Sequence, residues 1–238
     1  MEILSFLRAL FIIDPLIYLY TFACGAVSFA GSFFDSTGRF QHGCARVWSK
    51  LILGTSGIRV TALGLENVDT SKPHVFCSNH LSLMDTPVVL IHVPVQFRIM
   101  AKKGLFGLPF LGWWLKRSGH MPVDRSSPKA AMHSLQIAAA RVREGASVVF
   151  FPEGTRSRSG VTGEFKRGAA LLAIQAGVPL LPVAIKGTRE CLQPDSLHVR
   201  PGRVTVRFGR PIPTSGLTHR DAGRLIEETR NAVLEMMK

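Results

Sequence analysis

The sequence predicts an α/β fold: a mixed, largely parallel sheet flanked by helices and preceded by an N-terminal helical membrane element. Three observations predict it. From Ile58 onward, short apolar runs of strand type alternate with helical patterns, which is the order that builds a sheet covered by helices. Residues 1–34 are much more apolar than the remainder of the chain. The chain has 238 residues, enough for one sizeable core plus an appendage. The expected division is a two-helix membrane-association segment over 1–56 and a single globular domain over 57–238.

The N-terminal segment holds two apolar runs, Leu4 to Ile13 and Leu16 to Phe34, separated by Asp14-Pro15. Proline lacks the amide hydrogen and crowds the preceding turn, so a kink or break is expected there. The second run, about 19 residues, approaches the roughly 20 that cross a bilayer core, although Gly25, Ser28 and Gly31 interrupt it. A buried core helix is the alternative. Glu2 stands where a signal peptide would carry basic residues, and no clear cleavage site comes after it. Phe40, Cys44, Val47, Trp48, Leu51 and Ile52 then recur near helical spacing with Arg46 and Lys50 between them, the pattern of an interfacial amphipathic helix.

Strands are expected at Ile58–Leu63, His74–Cys77, Phe97–Ala101, Ser147–Phe151, Val178–Val183 and Val204–Phe208. Pro179 and Pro182 imply an edge position or a bent entry for the fifth of these. Ser127 as N-cap and Pro128 at the first position open a helix that Gly145 closes. A shorter helix runs from Lys166 to Ala176, and Thr218 with Asp221 caps the last one.

The formal charge of +13 is unevenly placed. Residues 1–40 carry two arginines against Glu2, Asp14 and Asp35, a net of −1, which leaves +14 on the remainder. Such a chain suits an anionic membrane surface and phosphate-bearing substrates. Nucleic acid competes for the same charge, but no nucleic-acid motif is present and the apolar start would go unexplained. Cys24, Cys44, Cys77 and Cys191 are scattered, without metal-ligand spacing, and read as reduced thiols with no metal site.

The candidate chemistry begins at His80. Strand-type residues precede it and Thr86 to Ile91 read as a helix start, so the chain turns at the histidine. On one continuous helix His80 and Asp85 would lie roughly 140° apart. On a turn that leads into a helix they meet, and the carboxylate fixes one ring nitrogen while the other is free to take a proton. The alternative is that Asn79, His80 and Asp85 only satisfy the backbone of a turn and cap. Lys102 and Lys103 come directly after a strand. Arg125 sits on a short connection before a helix, suited to bidentate phosphate contact, or else braced by Asp124. In Pro152–Gly160, Gly154 permits close backbone approach and Arg156 and Arg158 supply fixed charge, with Glu153 expected to pair with an arginine or to hydrogen-bond the substrate. Solvated turn chemistry is the alternative for that loop.

Four stretches, NHLSLMD (Asn79 to Asp85), GHMPVDR (Gly119 to Arg125), FPEGTRS (Phe151 to Ser157) and VPLLPV (Val178 to Val183), resemble in order the four blocks of the glycerolipid acyltransferases, specifically the lysophosphatidic acid acyltransferases. AKKGLFGLPFLGWWLK (Ala101 to Lys116) is similar to the stretch this family places between its first two blocks. The resemblance implies an acyltransferase domain over 57–238, with His80 and Asp85 catalytic and Lys102, Arg125, Glu153, Gly154, Thr155, Arg156 and Arg158 binding substrate. It implies acyl transfer from a thioester, on coenzyme A or acyl carrier protein, to the sn-2 hydroxyl of lysophosphatidic acid, giving phosphatidic acid with no metal or further cofactor. The partners expected are those two substrates and a phospholipid surface, with the catalytic domain on the cytoplasmic side of a cell membrane. Other lysophospholipids, glycerol phosphate or lyso-ornithine lipids are alternative acceptors. A catalytically silent lipid- or nucleic-acid-binding protein is the alternative of another class.

Overall fold

The computed structural model describes residues 2–238. Helices α1 (Glu2–Arg8) and α2 (Asp14–Gly31) form one continuous rod through a π-helical turn over Ala9–Ile13. Of the kink or break expected at Asp14-Pro15, the break does not occur. Pro15 is the second residue of α2, directly after the π turn. The Asp14 amide reaches back to Ala9 O, so the wider π turn absorbs the crowding that proline imposes on the residues before it.

Helix α3 (Arg39–Ser56) returns beside α2. Trp48 Nε1 donates to Thr21 Oγ1 at 2.9 Å and the Tyr20 and Thr55 hydroxyls meet at 3.1 Å. Part of the apolar stripe read from the sequence is exposed at Val47 and Leu51, while the half-exposed Phe40 lies over Gly31 of α2. The buried face carries Ile52 of that stripe together with Gln41, Ala45, Ser49 and Ser56, small or polar residues that let the helix approach closely.

The sheet has seven strands: β1 (Ile58–Leu63), β2 (Val75–Ser78), β3 (Phe97–Lys102), β4 (Met121–Val123), β5 (Ser147–Phe150), β6 (Leu180–Lys186) and β7 (Gly202–Phe208). Their order in the sheet is β1-β7-β6-β2-β5-β3-β4. Every neighbouring pair is parallel except β6 with β7. The helices between them are α4 (Asp85–His92), α5 (Leu111–Arg117), α6 (Pro128–Arg143), α7 (Gly168–Ala176), α8 (Thr188–Cys191) and α9 (Ala222–Met236).

Alternate residues of the central strands enter different cores. Val75, Val148 and Leu180 join Leu135, Leu172 and Leu225 of α6, α7 and α9. Phe76, Val149 and Leu181 join Ile13, Ile52 and Val88 on the opposite face. β2 and β5 are therefore buried throughout, which is why they read as short continuous apolar runs. Of the edge position or bent entry inferred for the proline-flanked strand, the edge position is excluded, since β6 lies between β7 and β2. The β6–β7 ladder begins at Val183 opposite Phe208, just beyond Pro182. Only the Pro182 carbonyl is used on that side, accepting from Gly209 N at 2.8 Å, so the missing donor costs the sheet nothing.

Candidate active site

β2, β5 and β6 end on one side of the sheet, where an open α/β architecture gathers its reactive groups. Past the end of β2, the Asn79 side chain grips β6: its Nδ2 donates to Ile185 O and its Oδ1 accepts from Ile185 N, both at 2.8 Å. The next residue is thereby fixed in place. The His80 amide donates to Glu153 Oε1 at 2.7 Å and its carbonyl accepts from Ser157 N at 3.0 Å.

The imidazole is held as firmly. Asp85, fully buried on the first turn of α4, accepts from His80 Nδ1 at 2.9 Å, Leu81 N at 2.7 Å and Ser82 N at 2.9 Å through Oδ2. Its Oδ1 accepts from Thr188 Oγ1 at 2.6 Å. Four donors leave the carboxylate no freedom to rotate, and Nδ1 must carry the proton it shares with Asp85. Phe151 stacks on the ring at 4.3 Å between centroids. Nε2 makes no hydrogen bond among the described residues, so the exposed edge of the ring presents a proton acceptor.

Around this base the cations are distributed unequally. Arg125 Nη1 donates to Gly154 O at 3.1 Å, which brings the second and third sequence blocks together. Gly154 has φ +80, and a Cβ there would lie 2.7 Å from Arg125 Nη1 and 3.4 Å from Lys166 Nζ. Only glycine fits. Arg156 is half-buried one residue before Ser157, and Thr155 is exposed between Gly154 and Arg156. Lys102 ends β3 with its side chain exposed, while its neighbour Lys103 pairs with Asp124 at 2.8 Å. That contact and the Ser126 donors hold the Asp124 carboxyl well below the usual carboxylate range, and the brace between Asp124 and Arg125 does not form.

Arg158 is exposed and meets Asp195, with Nε and Oδ2 3.3 Å apart. One expectation changes. Glu153 pairs with no arginine among the described residues. It is buried, with Oε1 on the His80 amide and Oε2 accepting from Gly163 N at 2.9 Å. Burial raises its pKa against the lowering effect of those two amides, and its work is to fix the backbone of the base. Sequence reasoning missed Thr188, Phe151 and Lys166. Phe151 was readable as an aromatic beside the Pro-Glu-Gly turn. Thr188 lies 103 residues from Asp85 in the chain and Lys166 reaches Gly154 only because its amide donates to Pro152 O, so no local pattern marks either.

An oriented base with a bare nitrogen, beside cations that have no carboxylate partner among the described residues, is equipment for activating a hydroxyl on an anionic acceptor. The acyltransferase family model matches residues 59–186, and the chain belongs to that family. It is 34% identical over 201 residues to the 1-acyl-sn-glycerol-3-phosphate acyltransferase BAT2 of Brassica napus, covering 84% of this chain and 56% of the relative. It is 33% identical over 195 residues to the Saccharomyces cerevisiae 1-acyl-sn-glycerol-3-phosphate acyltransferase, covering 79% of this chain and 62% of that one. The chain thus spans a little over half the length of these curated relatives. The crystal structure of the 1-acyl-sn-glycerophosphate (LPA) acyltransferase PlsC from Thermotoga maritima superimposes with a TM-score of 0.77 at 25% identity, over 98% of this chain and 95% of that one.

Proposed function

We propose that the protein transfers a fatty acyl group from a thioester to the sn-2 hydroxyl of lysophosphatidic acid, producing phosphatidic acid. The observation that carries this reading is the 2.9 Å contact between His80 Nδ1 and Asp85 Oδ2, on a turn that the loop carrying Gly154 and Arg156 grips through the His80 amide and carbonyl. Nε2 takes the hydroxyl proton as the oxygen attacks the thioester carbonyl, and Asp85 steadies the imidazolium that forms. When the tetrahedral intermediate collapses, the carbon–sulfur bond breaks and the imidazolium returns its proton to the thiolate. No acyl-enzyme is involved in this sequence, and neither metal nor prosthetic group takes part in it. Base catalysis of this kind contributes about 10²–10⁴-fold, the remainder coming from positioning of the two substrates.

The names of the relatives support the acceptor, and the basic cluster supports its phosphate. The donor is an acyl group on coenzyme A or acyl carrier protein, both anionic. Membrane attachment is supported by the 29-residue apolar helix Ile3–Gly31, whose outer face carries Leu4, Phe11, Tyr18 and Phe22 exposed. Its other flank is tied to the protein through Tyr20, Thr21 and Ser28, which supports a helix pair lying along one leaflet. The test is a panel of lysophospholipids and glycerol 3-phosphate offered with each donor, products read by mass. Phosphatidic acid from lysophosphatidic acid as the dominant product is expected. Preferential acylation of another acceptor, or no thioester consumption at all, overturns the reading.

A further inference from the structure

We infer that Lys166, which lies outside all four sequence blocks, is a second phosphate ligand that works with Arg125 across Gly154 and selects a dianionic phosphate monoester over a diester. The inference rests on the proposed acyl transfer and specifies how its acceptor is chosen. Lys166 Nζ and Arg125 Nη1 flank the same missing Cβ, at 3.4 and 2.7 Å. Two like charges drawn to one spot repel unless an anion lies between them. Arg125 is held there through Gly154 O. The backbone of Lys166 is fixed by its amide on Pro152 O and by the buried Phe165 before it, and its exposed side chain reaches over Gly154.

The nearby acids do not supply the counter-charge. Asp124 is taken by Lys103. Glu153 is turned to the His80 and Gly163 amides. Glu164, two residues from Lys166, forms no ion pair with either cation among the described residues. Gly154 at φ +80 clears the space between them, so an oxyanion can approach the backbone with a guanidinium on one side and an ammonium on the other. Across Gly154, Arg125 alone meets one charge of a phosphate. Lys166 opposite it meets the second charge that a monoester carries and a diester lacks, and that charge ionises with a pKa of about 6. The same loop closes on His80 through Glu153 and Ser157, so binding the phosphate here couples acceptor identity to the position of the base.

The experiment compares wild type, Lys166→Met and Lys166→Arg, each in detergent micelles. Equilibrium binding of lysophosphatidic acid and of lysophosphatidylglycerol is measured without donor, and KM and kcat with it, between pH 5.5 and 8. Lys166→Met is expected to weaken binding and raise KM for lysophosphatidic acid by about tenfold to a hundredfold, the range for a charge-assisted contact. Its kcat and its handling of lysophosphatidylglycerol should change little, and Lys166→Arg should recover most of the loss. In wild type, affinity for lysophosphatidic acid should rise as pH passes about 6, and in Lys166→Met that rise should flatten. Unchanged binding and an unchanged pH profile in Lys166→Met overturn the inference, as does an equal loss toward both lipids. Binding that depends on Lys166 in a protein unable to acylate lysophosphatidic acid would sustain the ligand assignment and sink the proposed reaction instead.

Discussion

The turn that carries His80 and the loop that carries Arg156 meet over a shared set of hydrogen bonds, yet they are built on opposite principles. In the first, the polar groups around the base are paired: Asn79 with Ile185, Asp85 with four donors, Ser82 Oγ with Leu192 O at 2.7 Å. In the second, Arg156 and Lys166 have no carboxylate among the described residues, and the space between the cations is kept open by a glycine. A saturated network resists motion and holds a reacting group in one pose. An unsaturated cationic one waits for an anion. On the proposed reaction, the difference divides the site into a part that performs the proton transfer and a part that chooses what is brought to it. Damage to the first should appear in kcat and damage to the second in KM.

The largest effect that sharpens this division is expected from Asp85→Asn. The amide no longer supplies an all-acceptor Oδ pair for Nδ1, Leu81 N, Ser82 N and Thr188 Oγ1, so kcat should fall by about 10²–10⁴-fold while KM for lysophosphatidic acid stays within a few-fold. Steady-state kinetics on the soluble substrate dispersion reads it. Glu153→Gln comes next. It keeps the shape but puts an amide NH2 against either the His80 or the Gly163 N–H, and kcat should fall by about tenfold to a hundredfold. If instead KM rises with kcat intact, Glu153 belongs to the acceptor-binding side and the division is misdrawn.

Thr188→Val tests the longest-range member of the network. It removes one of the four donors to Asp85, costing about 1–3 kcal/mol of stability for the group left unpaired, with a drop in kcat of about tenfold and unaltered KM. A melting curve and the same kinetics suffice. The smallest effect separates the pH response of the fold from that of the site. His120 is buried with Nδ1 accepting from Ile99 N at 3.0 Å. Its pKa is pushed down to about 3, first by burial and then by Arg98 and His42. His42 is likewise lowered to about 4 by burial, Arg46 and Arg98. Both fold as neutral rings, so the stability they confer is complete above the unfolded value near 6.5 and is lost as pH falls from there toward 4 and 3. The melting temperature should decline over that window. It should decline less in His42→Gln, whose side chain does not titrate.

What the sequence revealed tracks how local the cause is. The His80–Asp85 pair could be read because the two lie five residues apart, and Ser127 capped its helix as expected, accepting from Ala130 N at 3.1 Å. Alternation gave the sheet and its covering helices. Pairing across the sheet is decided elsewhere in the chain, so Pro182 pointed to an edge although its missing donor falls just outside a ladder. Pro15 predicted a break because nothing in the pattern marks a π turn. Glu153 was matched to an arginine by charge alone, whereas two backbone amides reached it first. Thr188 and Lys166 carry no sign in their neighbourhoods, because the contacts that give them meaning are made with Asp85 and with the Pro152 carbonyl.

The most direct measurement is the rate of phosphatidic acid formation from an acyl thioester and lysophosphatidic acid by wild type and by His80→Ala, with thiol release and product mass recorded together. If one imidazole moves the proton, the variant should bind lysophosphatidic acid as wild type does, remain on lipid vesicles, and lose at least about 10²-fold of its turnover. A His80→Ala protein that still forms phosphatidic acid within a few-fold of the wild-type rate would contradict the mechanism.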